Sequence, residues 1–190
     1  MVAAGWRAHN RCMTPTPPPE GVTLRWATLA DAEAGARLHL DCWREAYAPL
    51  VDRGLLEAQL ADPVSWADRW REHTRRVPRL LAERRLGDEV ELVGFAVAGP
   101  GRGEDPPRPL ELYAAYVRAS CYGTGLGRAL VERTLGFGPA YLWVLENNPR
   151  AIAFYEKLGF ALDGTRERFA PLDAWDARMV RGPARGSMQA

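Results

Sequence analysis

The sequence has little lysine, little cysteine and no long apolar run. Lys157 is the only lysine among 25 basic residues, a bias that a GC-rich coding sequence accounts for. Cys12, Cys42 and Cys121 are odd in number and widely spaced. That argues against a disulfide framework and fits a reducing compartment. No apolar stretch approaches the roughly 20 residues needed to cross a bilayer. The opening segment does not read as a secretory signal, because Pro15, Pro17, Pro18 and Pro19 interrupt residues that are already poor in apolar side chains. The expected location is the cytoplasm, with no membrane partner. Excess charge is missing too. The 25 basic residues face 24 acidic ones, and a balanced chain carries no bulk signature of nucleic-acid binding. His9, His39 and His73 share no metal-ligand spacing with one another or with cysteine, so no metal is expected. No G-x-S-x-G elbow occurs, which argues against a serine hydrolase.

What is present suits one folded domain. The chain has 190 residues, 47% of them hydrophobic, enough for a core and a ligand cleft. Residues 1–20 read as a disordered tail, since the run Thr14–Glu20 is too proline-rich for helix or strand. Met13 is an alternative start. Residues 21–181 form the expected domain, and residues 182–190 a second tail.

Within the domain, Val22–Trp26 reads as a strand. Asp31 then caps a helix whose stripe of Ala36, Leu40, Trp43, Tyr47 and Leu50 follows helical spacing. Pro49 breaks it before a helix near 52–61. Pro63 opens a third helix, with Trp66, Trp70, His73 and Val77 on one face. Arg79–Leu86 and Glu89–Ala98 read as strands joined by a Gly87-Asp88 turn. Gly99–Pro109 is a loop, Leu110–Val117 a strand, Gly123–Leu135 a glycine turn running into a helix, and Ala140–Leu145 a strand. Asn148 caps the next helix, with Pro149 at its first position and Gly159 at its end. Phe160–Arg168 and Trp175–Arg181 finish the sheet. The order β-α-α-α-β-β-β-α-β-α-β-β predicts a mixed α/β domain.

The most informative stretch is the strand Leu110–Val117 followed by Tyr122-Gly-Thr-Gly-Leu-Gly-Arg128. Unpaired N–H groups at a turn opening a helix, with the helix dipole behind them, make an anion site suited to phosphate. Two familiar nucleotide loops fail on spacing. A P-loop needs a lysine that does not follow here. A dinucleotide fingerprint needs a third glycine where Arg128 stands. A helix start without a ligand is the remaining alternative from the loop alone.

A second stretch, Asn148-Pro-Arg-Ala-Ile-Ala-Phe-Tyr-Glu-Lys-Leu-Gly-Phe160, narrows the choice. Gly125-Leu-Gly127 resembles the acetyl-CoA pyrophosphate loop of GNAT N-acetyltransferases, [QR]-x-x-G-x-[GA], with Tyr122 where that family usually has Gln or Arg. Residues 148–160 are similar to the family's N-x-x-A-x-x-F-Y-x-x-x-G-F signature. Asn148, Ala151, Phe154, Tyr155, Gly159 and Phe160 all match. The likeness extends over residues 22–181, including the helix Leu38–Tyr47. It departs in the short link Leu135–Pro139.

The resemblance implies a GNAT (acyl-CoA N-acyltransferase) fold, a mixed and mostly antiparallel central sheet flanked by helices. It implies acetyl-CoA as co-substrate and an amine acceptor, with a homodimer left open. Tyr116, Val117, Gly123, Thr124, Gly125, Leu126, Gly127, Arg128, Asn148 and Tyr155 then surround the cofactor. Tyr155 is the implied general acid for the departing thiolate, its alternative being an aromatic packed beside Ile152 and Leu158. Tyr116 and Val117 offer backbone groups, the first to the thioester carbonyl. An attacking amine must lose a proton. Glu111 is the first candidate base, on a spacing shared with a relative that uses a strand glutamate, and Glu146 is the second. Five residues before Asn148, where one GNAT branch keeps its base, stands Trp143. His39, Trp43, Tyr47, Trp66 and Trp70 form either an aromatic acceptor wall or ordinary core. A non-catalytic acetyl-CoA-binding regulator is the rival function.

Overall fold

The computed structural model describes residues 14–182. His9, Cys12, Met13 and all but Gly182 of the expected tail at 182–190 lie outside them. Seven strands and five α-helices follow in the expected order: β1 (Val22–Trp26), α1 (Ala32–Tyr47), α2 (Arg53–Leu60), α3 (Pro63–Arg76), β2 (Arg79–Leu86), β3 (Glu89–Pro100), β4 (Leu110–Val117), α4 (Leu126–Leu135), β5 (Ala140–Leu145), α5 (Pro149–Glu156), β6 (Ala161–Phe169) and β7 (Ala174–Arg181). Their spatial order in one sheet is β1-β2-β3-β4-β5-β7-β6. Every pairing is antiparallel except β4 with β5, which the α4 crossover joins in parallel.

Local chemistry explains most boundaries. Asp62 caps α3 by accepting from Ser65 N–H at 3.0 Å, with Pro63 in the first turn, where its missing donor is harmless. The two-residue turn Gly87-Asp88 closes the β2–β3 hairpin, with Leu86 opposite Glu89. Asp31 departs from the expected simple cap. It sits at the end of a short 3₁₀ turn, Leu29–Asp31, and its carboxylate accepts from Thr28 N–H at 2.7 Å and pairs with Arg25 at 2.7 Å. The proline-rich run corrects the disordered-tail expectation in part. It forms no helix or strand over residues 14–19, yet Thr16 N–H donates to the buried carboxylate of Glu132 on α4 at 2.8 Å.

Helices cover both faces of the sheet. α1, α2 and α3 pack on one side around Phe95, Leu81, Leu56 and Leu60. α4 lies on the other, its Leu126 and Leu130 over Val93 and Ala96, and α5 lies over Leu142, Val144 and Met179. Trp66 and Trp70 are buried in the α1–α3 layer, so the wall-or-core alternative resolves to core for these two.

Two irregularities prepare the site. The β3–β4 register slips between Val97 and Ala98, which leaves Tyr113 as an extra residue on β4. The β4–β5 ladder ends after Leu112 and Leu142. Beyond those residues the facing edges of the two strands have no strand between them, and the sheet splits into a V.

Candidate active site

The split opens into a cavity of about 880 Å³. It is lined by the C-terminal half of β4, by Trp143–Leu145 of β5, by α1, by the glycine turn, by α5, and by the hairpin of β6 and β7. Seven strands and helices, α4 among them through Gly127, Arg128 and Leu130, thus contribute to one cleft, at the point where a parallel pair diverges.

At the α4 end the chain turns through Gly123 at φ +76° and Gly125 at φ +88°, a left-handed region unfavourable for residues bearing a Cβ. Gly125 is the N-cap of α4, and the first helical bond runs from Ala129 N–H to its carbonyl at 3.0 Å. The N–H groups of Gly127 and Arg128 therefore have no carbonyl inside the helix. Gly127 serves packing instead of φ: a Cβ there would sit 3.3 Å from the Phe154 ring. Thr124 braces the turn, its hydroxyl donating to Cys121 carbonyl at 2.8 Å. Just before the turn, Arg118 pairs with Glu45 of α1 at 2.9 Å, and Glu45 also accepts from Ala119 N–H at 2.6 Å. Those bonds lock the loop to the helix layer.

Cations gather at this end. Arg128, Arg150 and Lys157 all line the cavity. Arg150 stacks over the Tyr122 ring at 4.0 Å. It brings positive charge to the loop position where the family pattern carries Gln or Arg and this chain carries tyrosine. The sequence reading missed Arg150, although it lies two residues after Asn148 inside the quoted motif. Asn148 caps α5, accepting from Ala151 N–H at 3.1 Å. Its amide also lines the cavity. Free N–H groups, nearby cations and a long cleft fit a pyrophosphate followed by a slender arm, which is the shape and charge of acetyl-CoA.

Three tyrosines meet in the split. Tyr47 of α1 and Tyr116 of β4 share a hydroxyl–hydroxyl hydrogen bond of 2.7 Å. Tyr155 of α5 is only 9% exposed. Burial, with Tyr47 nearby, pushes its pKa well above that of a free phenol, and no hydrogen bond offsets the shift. The phenol is therefore protonated at neutral pH and free to donate. His39 lines the cavity but accepts from Trp43 Nε1 at 3.0 Å. Burial, then the charge of Arg79, takes its pKa down to about 3, so it stays neutral and weakly basic.

The expected bases sit elsewhere than a base needs to be. Glu111 is 1% exposed and is not among the cavity-lining residues. One oxygen accepts from Tyr141 hydroxyl at 2.6 Å and from Arg102 Nε at 3.0 Å, and the other pairs with the Arg102 guanidinium. Burial pushes its pKa up, but Arg102 and Tyr141 outweigh burial and hold it below the usual carboxylate range. A carboxylate so occupied binds protons poorly, and this geometry does not suit direct deprotonation of an amine. Glu146 forms a surface pair with Arg166 at 2.8 Å and lines a separate, smaller cavity beside Leu50 and Trp175. Asp176, absent from the sequence reading, does line the main cleft. Burial, aided by Glu167, raises its pKa to about 6.

A cleft made by diverging parallel strands, with a glycine turn at one end and a buried phenol inside, is an arrangement that could hold an acyl-CoA beside a second substrate. Comparison with known proteins agrees. The family model "Acetyltransferase (GNAT) family" matches residues 37–160. An uncharacterised N-acetyltransferase of Bacillus subtilis is 31% identical over 141 residues, spanning 71% of this chain and 78% of that protein. A probable N-acetyltransferase of Mycobacterium tuberculosis is 27% identical over 158 residues, covering 81% and 88%. The crystal structure of a PaiA N-acetyltransferase from Thermoplasma acidophilum in complex with coenzyme A superposes with a TM-score of 0.61 at 18% identity, over 83% of this chain and 97% of that one, and so shares the fold.

The chain belongs to the GNAT family. It is an acetyltransferase that uses acetyl-CoA, which sets aside the rival of a non-catalytic regulator. Among the described residues no helix is long and apolar enough to cross a membrane, and no cluster of His, Cys, Asp and Glu could hold a metal ion.

Proposed function

We propose that the chain acetylates a primary amine of a small molecule or peptide by direct attack within a ternary complex. The observation that carries this reading is the V between β4 and β5, which joins the free N–H groups of the glycine turn to the Tyr155 hydroxyl through one cavity. Acetyl-CoA supplies the acetyl group, activated as a thioester. The backbone of Gly123, Thr124, Gly125, Leu126, Gly127 and Arg128 holds the pyrophosphate, with Arg128 and Arg150 adding charge. Asn148 bonds the pantetheine arm. The backbone at Tyr116 and Val117 runs along the exposed edge of β4 and supports the thioester carbonyl.

The chemistry then balances over two protons. The amine nitrogen forms its bond to the acetyl carbon as the carbon–sulfur bond breaks. A protonated amine loses one proton before it attacks and a second as the amide forms, while the sulfur gains one from the Tyr155 hydroxyl, whose phenolate takes back the second proton by way of solvent. Glu111 could take the amine's proton only through a displaced Arg102 or a water path, whereas Asp176 lines the cleft directly. We therefore assign the proton to Asp176 and give Glu111 a bracing role, holding Arg102 and Tyr141 at the foot of the V.

The decisive experiment pairs acetyl-CoA calorimetry with a thiol-release assay across primary amines. Cofactor binding with release that depends on both amine and enzyme supports the reading. Binding without release from any amine would overturn it.

A further inference from the structure

The two ends of the cleft carry opposite charge. Toward α4 and α5 stand Arg150 and Lys157, with Arg128 paired to Glu132 at 2.7 Å; on the β6–β7 hairpin stand Glu167 and Asp176. Glu167 and Asp176 face each other across the ladder. Directly opposed residues in an antiparallel pair keep their Cβ atoms about 5 Å apart. Asp176 also pairs with Leu145 of β5. It alternates with Ala177, whose partner Val144 packs under α5, so the Asp176 side chain points to the other face, toward α1.

This hairpin is rich in arginine, yet its arginines are used elsewhere. Arg166 pairs with Glu146 at 2.8 Å, Arg168 pairs with Asp173, and Arg178 is held by Asp163 at 2.8 Å and by Thr165 at 2.8 Å. No cation among the described residues is bound to Asp176 or Glu167. Asp176 is half-buried and Glu167 exposed; for Asp176 the partial loss of water without a cationic partner is unfavourable. Desolvation and the like charge of Glu167 both raise the Asp176 pKa, with no hydrogen bond opposing them. Around the pair stand Trp43, Tyr47 and Phe169, all lining the cavity. Aromatic faces attract cations. Independently, the unpartnered Tyr155 hydroxyl, nine-tenths buried, opens into the same cavity.

We propose that Asp176 and Glu167 form a subsite for a dicationic acceptor, a short diamine, with Asp176 receiving the reacting nitrogen and Glu167 the second one. This rests on the acetyl-transfer reading and adds the class of acceptor. A diamine places a second positive centre a few bonds from the first, a separation suited to two carboxylates facing each other across a ladder. A neutral or anionic acceptor would leave both carboxylates without a counter-charge.

The test compares 1,4-diaminobutane with n-butylamine by thiol release, with acetyl-CoA affinity measured in parallel on the full chain. The wild type should favour the diamine by at least about tenfold in kcat/KM, the scale of one charge-assisted contact. Glu167→Gln, at an exposed position where folding is not at issue, should pull that ratio toward one. Asp176→Asn should lower kcat and raise KM for both amines, since the same carboxylate takes the proton. Equal use of the two amines, with acetyl-CoA binding and transfer intact, would overturn the diamine subsite and leave the transferase reading standing. A diamine preference that survives Glu167→Gln would overturn it as well. Loss of transfer to every amine would instead bring down the underlying reading.

Discussion

The glycine-turn end of the cleft, proposed above for the cofactor, comes from one stretch of chain, between the end of β4 and the end of α5, whereas the opposite end draws on α1 and on the β6–β7 hairpin more than 100 residues later. The first is made largely of backbone: N–H groups freed by a glycine turn, positioned by a helix start. The second is made of side chains, Tyr47, Trp43, Phe169, Glu167 and Asp176. Backbone sites depend on local conformation, and local conformation is set by a few residues in a row. Side-chain sites depend on which strands become neighbours. The two ends also differ in charge, cationic against anionic, as the proposed pairing of one with acetyl-CoA and the other with an amine requires. The halves should therefore fail differently when mutated.

The largest effect is expected at the junction. Tyr155→Phe should lower kcat by about 10²–10⁴-fold with little change in acetyl-CoA affinity, because the proton is given mainly in the transition state. Calorimetry beside steady-state kinetics checks this. An unchanged kcat, with chemistry shown to limit the rate, would remove Tyr155 from the reaction.

At the cofactor end, Gly125→Val should weaken acetyl-CoA binding by about 10–100-fold. A β-branched residue at φ +88° is strained even though its Cβ meets no neighbour. Loss of cofactor affinity with the KM for amine unaltered would sharpen the division between the ends. Equal losses for both substrates would blur it.

Acceptor-end behaviour should follow pH. The Asp176 pKa is raised to about 6, so the carboxylate is charged above that value and neutral below it. Its hold on a cationic amine is then present at neutral pH and fades as pH falls through 6. KM for the amine should rise by about tenfold between pH 7 and pH 5, while acetyl-CoA affinity stays flat. Asp176→Asn should flatten the profile; a profile that keeps its shape would point to another group.

Glu111→Gln is expected to act on stability, by about 1–2 kcal/mol, through the lost pair with Arg102 and the weakened bond from Tyr141. That figure is modest because the Arg102 side chain is 65% exposed and can rehydrate. Glu111 is held charged in the fold, so its contribution is present above the unfolded carboxylate pKa and is lost as pH falls through the lower folded value. Denaturation against pH measures it. A rate loss that recovers with rising pH would instead return Glu111 to the role of base.

The smallest effect belongs to Arg150→Ala. Acetyl-CoA affinity should fall by only about 3–10-fold, and less at high salt, since an exposed cation near a phosphate is screened. No dependence on salt would mean that Arg150 serves only to stack on Tyr122.

Much of this molecule is legible in its order of residues. Asn148 followed by Pro149, the Gly87-Asp88 turn and the helical stripe of Ala36, Leu40 and Trp43 each encode a local conformation, and each forms as the spacing predicts. Gly123 and Gly125 likewise announce a positive-φ turn before a helix, and that turn forms. Short-range rules suffice there, because the atoms involved lie within a few residues of one another. Tertiary structure decided the rest. Glu111 has the right spacing for a base, yet Arg102 from the β3–β4 loop and Tyr141 from β5 occupy it. Trp66 and Trp70 look like His39 and Trp43 on paper, and all three tryptophans are buried, but only His39 and Trp43 line the cleft. Asp176 resembles any other strand aspartate until β7 settles between β5 and β6 and neighbouring arginines turn to other acids. Its charge and its freedom come from the company that strand order provides, and a linear chain does not specify that company locally.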